Sequence, residues 1–341
     1  MYGRSFWIYL GRRLGLAVIT LIGAIVAVFV MTHVLPGNPA LVKAGVYSTP
    51  EVLRALEHEM GLDRPLPEQL ALYVVHAFQG DLGVSTRSGH PVAADLVQRL
   101  PATAELAVYS LLLAVLIGVP LGVLAAVREG GWFDRVVQQV AILGASAPLF
   151  WLGVMLIFVF YVQLGIAPAP VGRLDTGVEA PPQITGLYTV DAALALNGTA
   201  LASAAGHLLL PVLTLGFVIM APLIKMSRAS MSSILSADFI QAAYSFGLPH
   251  RTVVWGDGLK NAMMGLLTVV GIVLGYVMAG NVIVEALFAW PGIGLYAWNG
   301  ITGRDYDAVQ GFVLLVAATY VLVNLVIDVL YMLIDPRVRL G

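Results

Sequence analysis

LGLAVITLIGAIVAVFVMTHV, residues 14–34, carries no formally charged side chain apart from a titratable histidine, His33. At about 1.5 Å of rise per residue, such a run crosses a hydrocarbon core of roughly 30 Å as a single helix. Arg12 and Arg13 precede it, as basic residues precede the apolar core of a signal peptide. The run is too long for that role, however, and no small-x-small cleavage site closes it. It reads as a retained first span. Five further stretches have the length and apolarity to cross, at about 106–127, 136–164, 208–224, 262–284 and 309–334. Six spans predict an all-α, polytopic membrane protein.

Composition points the same way. Of 341 residues, 59% are hydrophobic and 11% charged, and mean hydropathy is +0.88; a soluble domain carries about 25% charged residues. The net charge of -2 comes without the basic block of a nucleic-acid binder. With no cysteine there is no disulfide, thiol nucleophile or thiolate metal site. Lysine and arginine set the orientation. With the N-terminus inside, eleven of the 18 cations fall in the short inner connections and seven in the longer outer ones. That density places both termini in the cytoplasm.

The chain divides into an N-terminal segment with the first span (1–35), an outer loop domain (36–102) and a core of five spans (103–341). In the outer loop, TPEVLRALEHEMGL reads as a short helix capped by Thr49, with Pro50 in its first turn and Gly61 as its stop. PLPEQLALYVVHAFQGD reads as a second, ended by Gly80. Pro120 and Pro148 fall inside spans, where each removes a helical hydrogen bond and predicts a kink, as packing or as a cavity wall.

The usual catalytic sets are missing. No lysine follows a glycine, so no P-loop exists. His58-Glu59 begins like a zinc motif, but Leu62 stands where the second histidine belongs. The six histidines are scattered, and there is no GxSxG. Acids inside spans are few: Glu285 at an outer end, and Asp328 with Asn324 four residues before it. Neither makes a proton pathway alone. Any transport needs an external energy source.

The inner connection 226–261 contains SADFIQAAYSFGLPHR. Ser236 suits an N-cap and Asp238 the first turn. Phe239, Ala242, Ala243 and Phe246 recur at helical spacing, with Ile240 beside them; Gly247 suits a left-handed stop, and Pro249 prevents continuation. Such a helix lies on the membrane, packs on its own bundle or docks on a partner.

QAAYSFGLPHRTVVWGDGLKNAM resembles the EAA loop of ABC-importer permeases, with Gln241 in place of the motif's glutamate and Ala242, Ala243 and Gly247 at its spacing. The later Ile-x-Leu-Pro of that motif is not kept. LPGNPA at 35–40, MGLDRPLPEQ at 60–69, GDLGVSTRSGHPV at 80–92, RLPATAELA at 99–107, PLGVLAAVREGGWFDR at 120–135, APLFWLGV at 147–154, VEALFAWPGIG at 284–294 and DPRVR at 335–339 are similar to the peptide/nickel branch, in its order. Residues 172–205 look like a variable outer loop.

The resemblance implies a six-helix, type I ABC-importer permease with no cofactor of its own. It implies a second, homologous permease subunit and two ATP-binding subunits that hold ATP and magnesium. It also implies an extracytoplasmic substrate-binding protein, residence in a bacterial or archaeal inner membrane, and no nucleic acid. Phe239, Gln241, Ala242, Ala243, Phe246, Gly247 and Pro249 are then the partner-docking set. Ser146, Ser227, Asn281, Glu285, Trp290, Pro291 and Gly292 are candidates for the translocation path or a gate; interhelical hydrogen bonding and interfacial anchoring are the alternatives. Di- or oligopeptides are the expected cargo, with nickel chelates and glutathione-like solutes as alternatives. The rivals of another class are a secondary carrier, which needs an ion site and repeats, and a membrane-bound enzyme.

Overall fold

The computed structural model describes residues 4–34, 39–44, 48–59 and 61–334. Residues 35–38 of the LPGNPA stretch, Met60 and the DPRVR stretch lie outside the described residues. Among the described residues the structure is helical, without strands; an isolated antiparallel bridge joins Val84 to Pro91. The chain forms two units.

The first unit comprises Met1–Pro101 and Gly292–Leu325. It holds α1 (Arg4–Val34), α2 (Pro39–Ala44), α3 (Pro50–Glu59), α4 (Leu66–Gln79) and the start of α5 (Val92–Leu113). Later in the chain it adds α14 (Ile293–Gly303) and most of α15 (Tyr306–Ile334). The helices expected at 49–61 and 66–80 are α3 and α4. The Thr49 hydroxyl approaches the Val52 N–H at 3.5 Å, and Gly80 closes α4 at φ 78°. Val92, Leu96, Ile293, Tyr296 and Ala308 form one core; Ile25, Val28 and Leu314 form another with Tyr73 and Ala77.

The second unit comprises Ala102–Pro291 and Val326–Gly341. Here α5 continues through a wide π-turn, Ala114–Gly118, into α6 (Val119–Val127). Pro120 sits in the first turn of α6, just past the widened turn, so the kink expected there takes the form of a π-bulge. The third expected span is not one rod: α7 (Trp132–Ser146) and α8 (Leu149–Leu156, prolonged by the π-turn Ile157–Gln163) meet at 105°. Ala147 and Pro148 are extended at the corner, because a residue before proline is pushed out of the helical region.

At the centre of this unit runs α10 (Gly198–Leu235), far longer than the 208–224 expected. Asn197 caps it by accepting from the Ala200 N–H at 3.0 Å, and alanine-rich residues extend its outer end. It packs against α6, α7, α9 (Tyr188–Leu194) and α13 (Leu259–Leu287). Contact is close where glycine faces it: a Cβ on Gly122 would stand 2.6 Å from the Ile224 carbonyl oxygen. Leu106, Leu215, Leu223 and Val277 fill the core around it.

Candidate functional site

The connection after α10 is shorter than the sequence suggests, because α10 runs on to Leu235 and helix resumes at α12 (His250–Thr252), which leads through the π-turn Val253–Gly258 into α13. Between them stands α11 (Asp238–Ser245). Ser236 is not its N-cap. Ala237 holds that position, while Ser236 ends α10 and its hydroxyl donates back to the Ser233 carbonyl at 2.8 Å. The helix begins at Asp238, so the residue immediately before it, not Ser236, takes the cap position.

The stop is as expected. Gly247 lies at φ 78°; its N–H donates to the Tyr244 carbonyl at 2.9 Å, and the Leu248 N–H donates to Ala243 at 3.2 Å. This pair of reverse bonds is a Schellman closure, and it requires the left-handed residue. Nothing lies within 4 Å of a Cβ built on Gly247, so backbone conformation alone selects glycine. Tyr244 also donates to or accepts from His250 Nδ1 at 2.8 Å, with the two rings stacked at 5.9 Å, which ties the helix to the start of α12.

The faces of α11 are unequal. Ile240 is fully buried, whereas Phe246 is 87% exposed and Phe239 49% exposed. Gln241, Ala242 and Pro249 are exposed, and Ala243 is half-buried. One isoleucine therefore holds the helix to its own unit, while the phenylalanines, an alanine and Leu248 present an apolar surface.

The path and gate candidates do not form one group. Ser146 is exposed at the corner between α7 and α8. Ser227 is buried where α10 meets Gly122, and its hydroxyl has no partner among the described residues. Asn281, in α13, is 1% exposed, and among the described residues neither its amide nitrogen nor its oxygen has a hydrogen-bond partner. A buried amide in an apolar bundle is costly to leave without a partner. One turn on, Glu285 is fully buried and accepts from the Thr103 hydroxyl at 2.6 Å. Trp290 is 1% exposed and donates its indole N–H to the Ala102 carbonyl at 2.8 Å. Ala289 before it is left-handed at φ 45°, and Pro291 is exposed. In the first unit, Gly292 precedes α14 and is buried.

Sequence reading missed the polar cluster beside Trp290. Arg173, from the presumed variable loop, donates through Nη2 to Glu105 at 2.5 Å and to the Gly186 carbonyl at 3.0 Å. Its guanidinium lies 3.6 Å from the Tyr188 ring centroid and 5.6 Å from that of Trp290. The other Glu105 oxygen accepts the Thr189 N–H and hydroxyl at 2.8 and 2.7 Å. Glu105 and Arg173 are both buried, so the loop is bolted to α5 rather than loose. No local spacing signals a pair 68 residues apart. Among the described residues no three potential metal ligands converge.

Helices long and apolar enough for five or six spans, with a solvent-facing apolar helix between two of them, make a membrane-embedded permease of the type I ABC-importer fold. The fold is shared with the methionine ABC transporter MetNI in an inward-facing conformation, at TM-score 0.53 and 18% identity, over 70% of this chain and 96% of that one. Residues 118–340 match the family described as binding-protein-dependent transport system inner membrane component, and residues 6–107 match its N-terminal family. The chain belongs to that family. It is 43% identical to the probable D,D-dipeptide transport system permease protein DdpB of Escherichia coli (strain K12), over 99% of both chains. Its identity to the dipeptide transport system permease protein DppB of the same strain is 38%, over 96% of this chain and 97% of that one. With the glutathione transport system permease protein GsiC of Escherichia coli O6:H1 it is 36%, over the same shares.

Proposed function

We infer that this chain forms, with a sister permease, the path by which a bacterial inner-membrane importer takes up short peptides, dipeptides first. Two ATP-binding subunits with their magnesium and ATP drive it from the cytoplasm, and an extracytoplasmic binding protein delivers the cargo. The observation that carries the coupling is the exposed face of α11. Phe239 and Phe246 stand in solvent on a helix that Ile240 anchors from the other side. A protein does not keep two large aromatic side chains exposed on a rigidly closed helix without a surface to cover them. Ala242 and Ala243 allow that surface to approach closely, and Gln241 offers an uncharged hydrogen-bonding group in place of a carboxylate.

The peptide assignment is supported by full-length relatives named as D,D-dipeptide and dipeptide permeases. The division at 1–35, 36–102 and 103–341 is kept as the functional one, with the outer loop facing the binding protein. Asn281, Glu285 and Trp290 are proposed for the path and its outer gate, with Ser146, Ser227, Pro291 and Gly292 alongside. The unpartnered Asn281 amide gains a partner when the bundle changes state or when cargo passes.

The test is purification of the tagged chain from its native membrane in mild detergent, with identification of everything retained, followed by uptake of labelled dipeptide in cells with and without the chain. Retention of P-loop ATPases and a second permease, with uptake lost on deletion, is the expected result. A chain that comes out alone and folded sinks the importer reading. Retained partners with unchanged dipeptide uptake but lost glutathione or D,D-dipeptide uptake would move the cargo and leave the architecture.

A further inference from the structure

The geometry points to a carboxylate-binding site in the first unit, in a cavity of about 240 Å³ lined by Arg87, Arg99 and Asn299. It lies among residues that the cation count puts outside the membrane. Nothing in the peptide reading is needed for it.

Three polar side chains converge there without protein partners. Among the described residues, neither guanidinium has a hydrogen bond or ion pair, and the Asn299 side chain has none. The Nε of Arg99 is buried and orphaned. Its guanidinium lies over the Tyr296 ring, 5.2 Å from the centroid. Tyr296, whose ring carries this contact, is itself 6% exposed.

The nearby acids are engaged by the loop itself. Asp305, 1% exposed, accepts the Ser85 hydroxyl at 2.5 Å and the Arg87 backbone N–H at 3.3 Å; its other oxygen accepts the Ala308 N–H at 3.2 Å. Asp95 accepts the Ser88 hydroxyl at 2.6 Å and has His90 Nδ1 at 3.8 Å. Both carboxylates therefore hold the loop between α4 and α5 in shape, and the two guanidiniums are left with their donors presented to one concavity.

A planar fork of N–H donors matches a carboxylate bidentately, and the Asn299 amide adds a neutral donor. Asp305 at the wall favours a singly charged ligand over phosphate, whose second charge it would repel. The volume far exceeds the roughly 30 Å³ share of one water and suits a molecule of amino-acid size. Two sources offer this group: a free small carboxylate, or an acidic side chain of a docked protein.

The experiment uses the full chain with whatever subunits copurify, in lipid nanodiscs. Radiolabelled N-acetylalanine, which has a carboxylate but no ammonium, is measured by equilibrium binding against alanine amide and inorganic phosphate. Saturable N-acetylalanine binding is expected, weakened at least tenfold in Arg99→Gln and separately in Arg87→Gln, with alanine amide not bound. Arg87 is exposed, so its variant leaves folding intact even if Arg99→Gln does not. In a second arm, a photoreactive side chain replaces Asn299 in living cells. A protein adduct next to an Asp or Glu, lost in Arg87→Gln, assigns the carboxylate to a docked protein. Phosphate binding as tight as N-acetylalanine, binding indifferent to both arginines, or no ligand in either arm overturns the proposal.

Discussion

Gly247 and the Glu105–Arg173 pair carry constraints of different kinds. At Gly247 the constraint is purely conformational: space is open, but φ is 78°. Valine there costs about 1–2 kcal/mol for the left-handed backbone. It also unwinds the Schellman closure that sets where α11 ends. Gly247→Val is therefore expected to reach the membrane at normal levels and to lose dipeptide uptake; normal uptake at normal levels would refute the role given to α11. At Glu105 the constraint is electrostatic. Glu105→Gln leaves Arg173 buried beside a neutral amide, and breaking one side of such a pair costs about 3–5 kcal/mol. Replacing both, as Glu105→Gln with Arg173→Met, removes the orphaned charge and recovers part of the loss. Thermal unfolding of the purified assembly measures the cycle. Strictly additive single effects would mean that the pair does not bind the 165–197 segment to α5.

Elements show two cases in which one face or one acid does a separable job. On α11, Phe246→Ala and Phe239→Ala remove exposed rings and are expected to change stability by no more than about 0.5 kcal/mol. Both should nevertheless reduce the yield of copurified ATPase. Ile240→Ala empties a fully buried position and costs about 2–5 kcal/mol. Equal effects of the three on partner retention at matched stability would argue against docking through the phenylalanine face. The loop before α9 is held by Asp191, fully buried, whose oxygens accept from the Thr185 hydroxyl and the N–H groups of Ile184, Thr185 and Gly186. Burial opposes its charge, but those hydrogen bonds prevail and hold its pKa below the usual carboxylate range. A depressed folded pKa contributes stability that is complete above the unfolded value, near 3.9, and is lost as pH falls through the folded one. Hydrogen exchange over 184–191, corrected for intrinsic rates, should be equal at pH 7 and 5 and faster near pH 3. Asp191→Asn should exchange fast at all three.

Across the whole molecule, what the sequence made legible was whatever lipid and local geometry dictate. Spans came from unbroken apolar runs, and α3, α4 and the Gly247 stop came from residues within a few positions of one another. The corner at Ala147 and Pro148 was legible as a kink, but its 105° depends on how α8 seats against α10 and α13, which no local pattern encodes. Arg173 with Glu105, and Arg87 with Arg99, escaped because long-range partners leave no spacing; they counted only as outer cations. Hydropathy also fails to separate spans that face lipid from those that face protein, since both are equally apolar. The structure separates them: 72% of the most apolar stretch of α10 is buried, against 17% for α1 and none for α15. In native membranes, an apolar carbene reagent dissolved in the lipid should label residues 11–30 and 306–329 severalfold more than α10. If the proposed sister permease covers part of the α15 surface, labelling there should rise when that subunit is deleted, while α10 stays protected by its own chain. Labelling of α10 at the level of α15 in the intact membrane would mean that α10 is not the central helix of its unit there, and that the packing of α6, α7 and α13 around it is wrong.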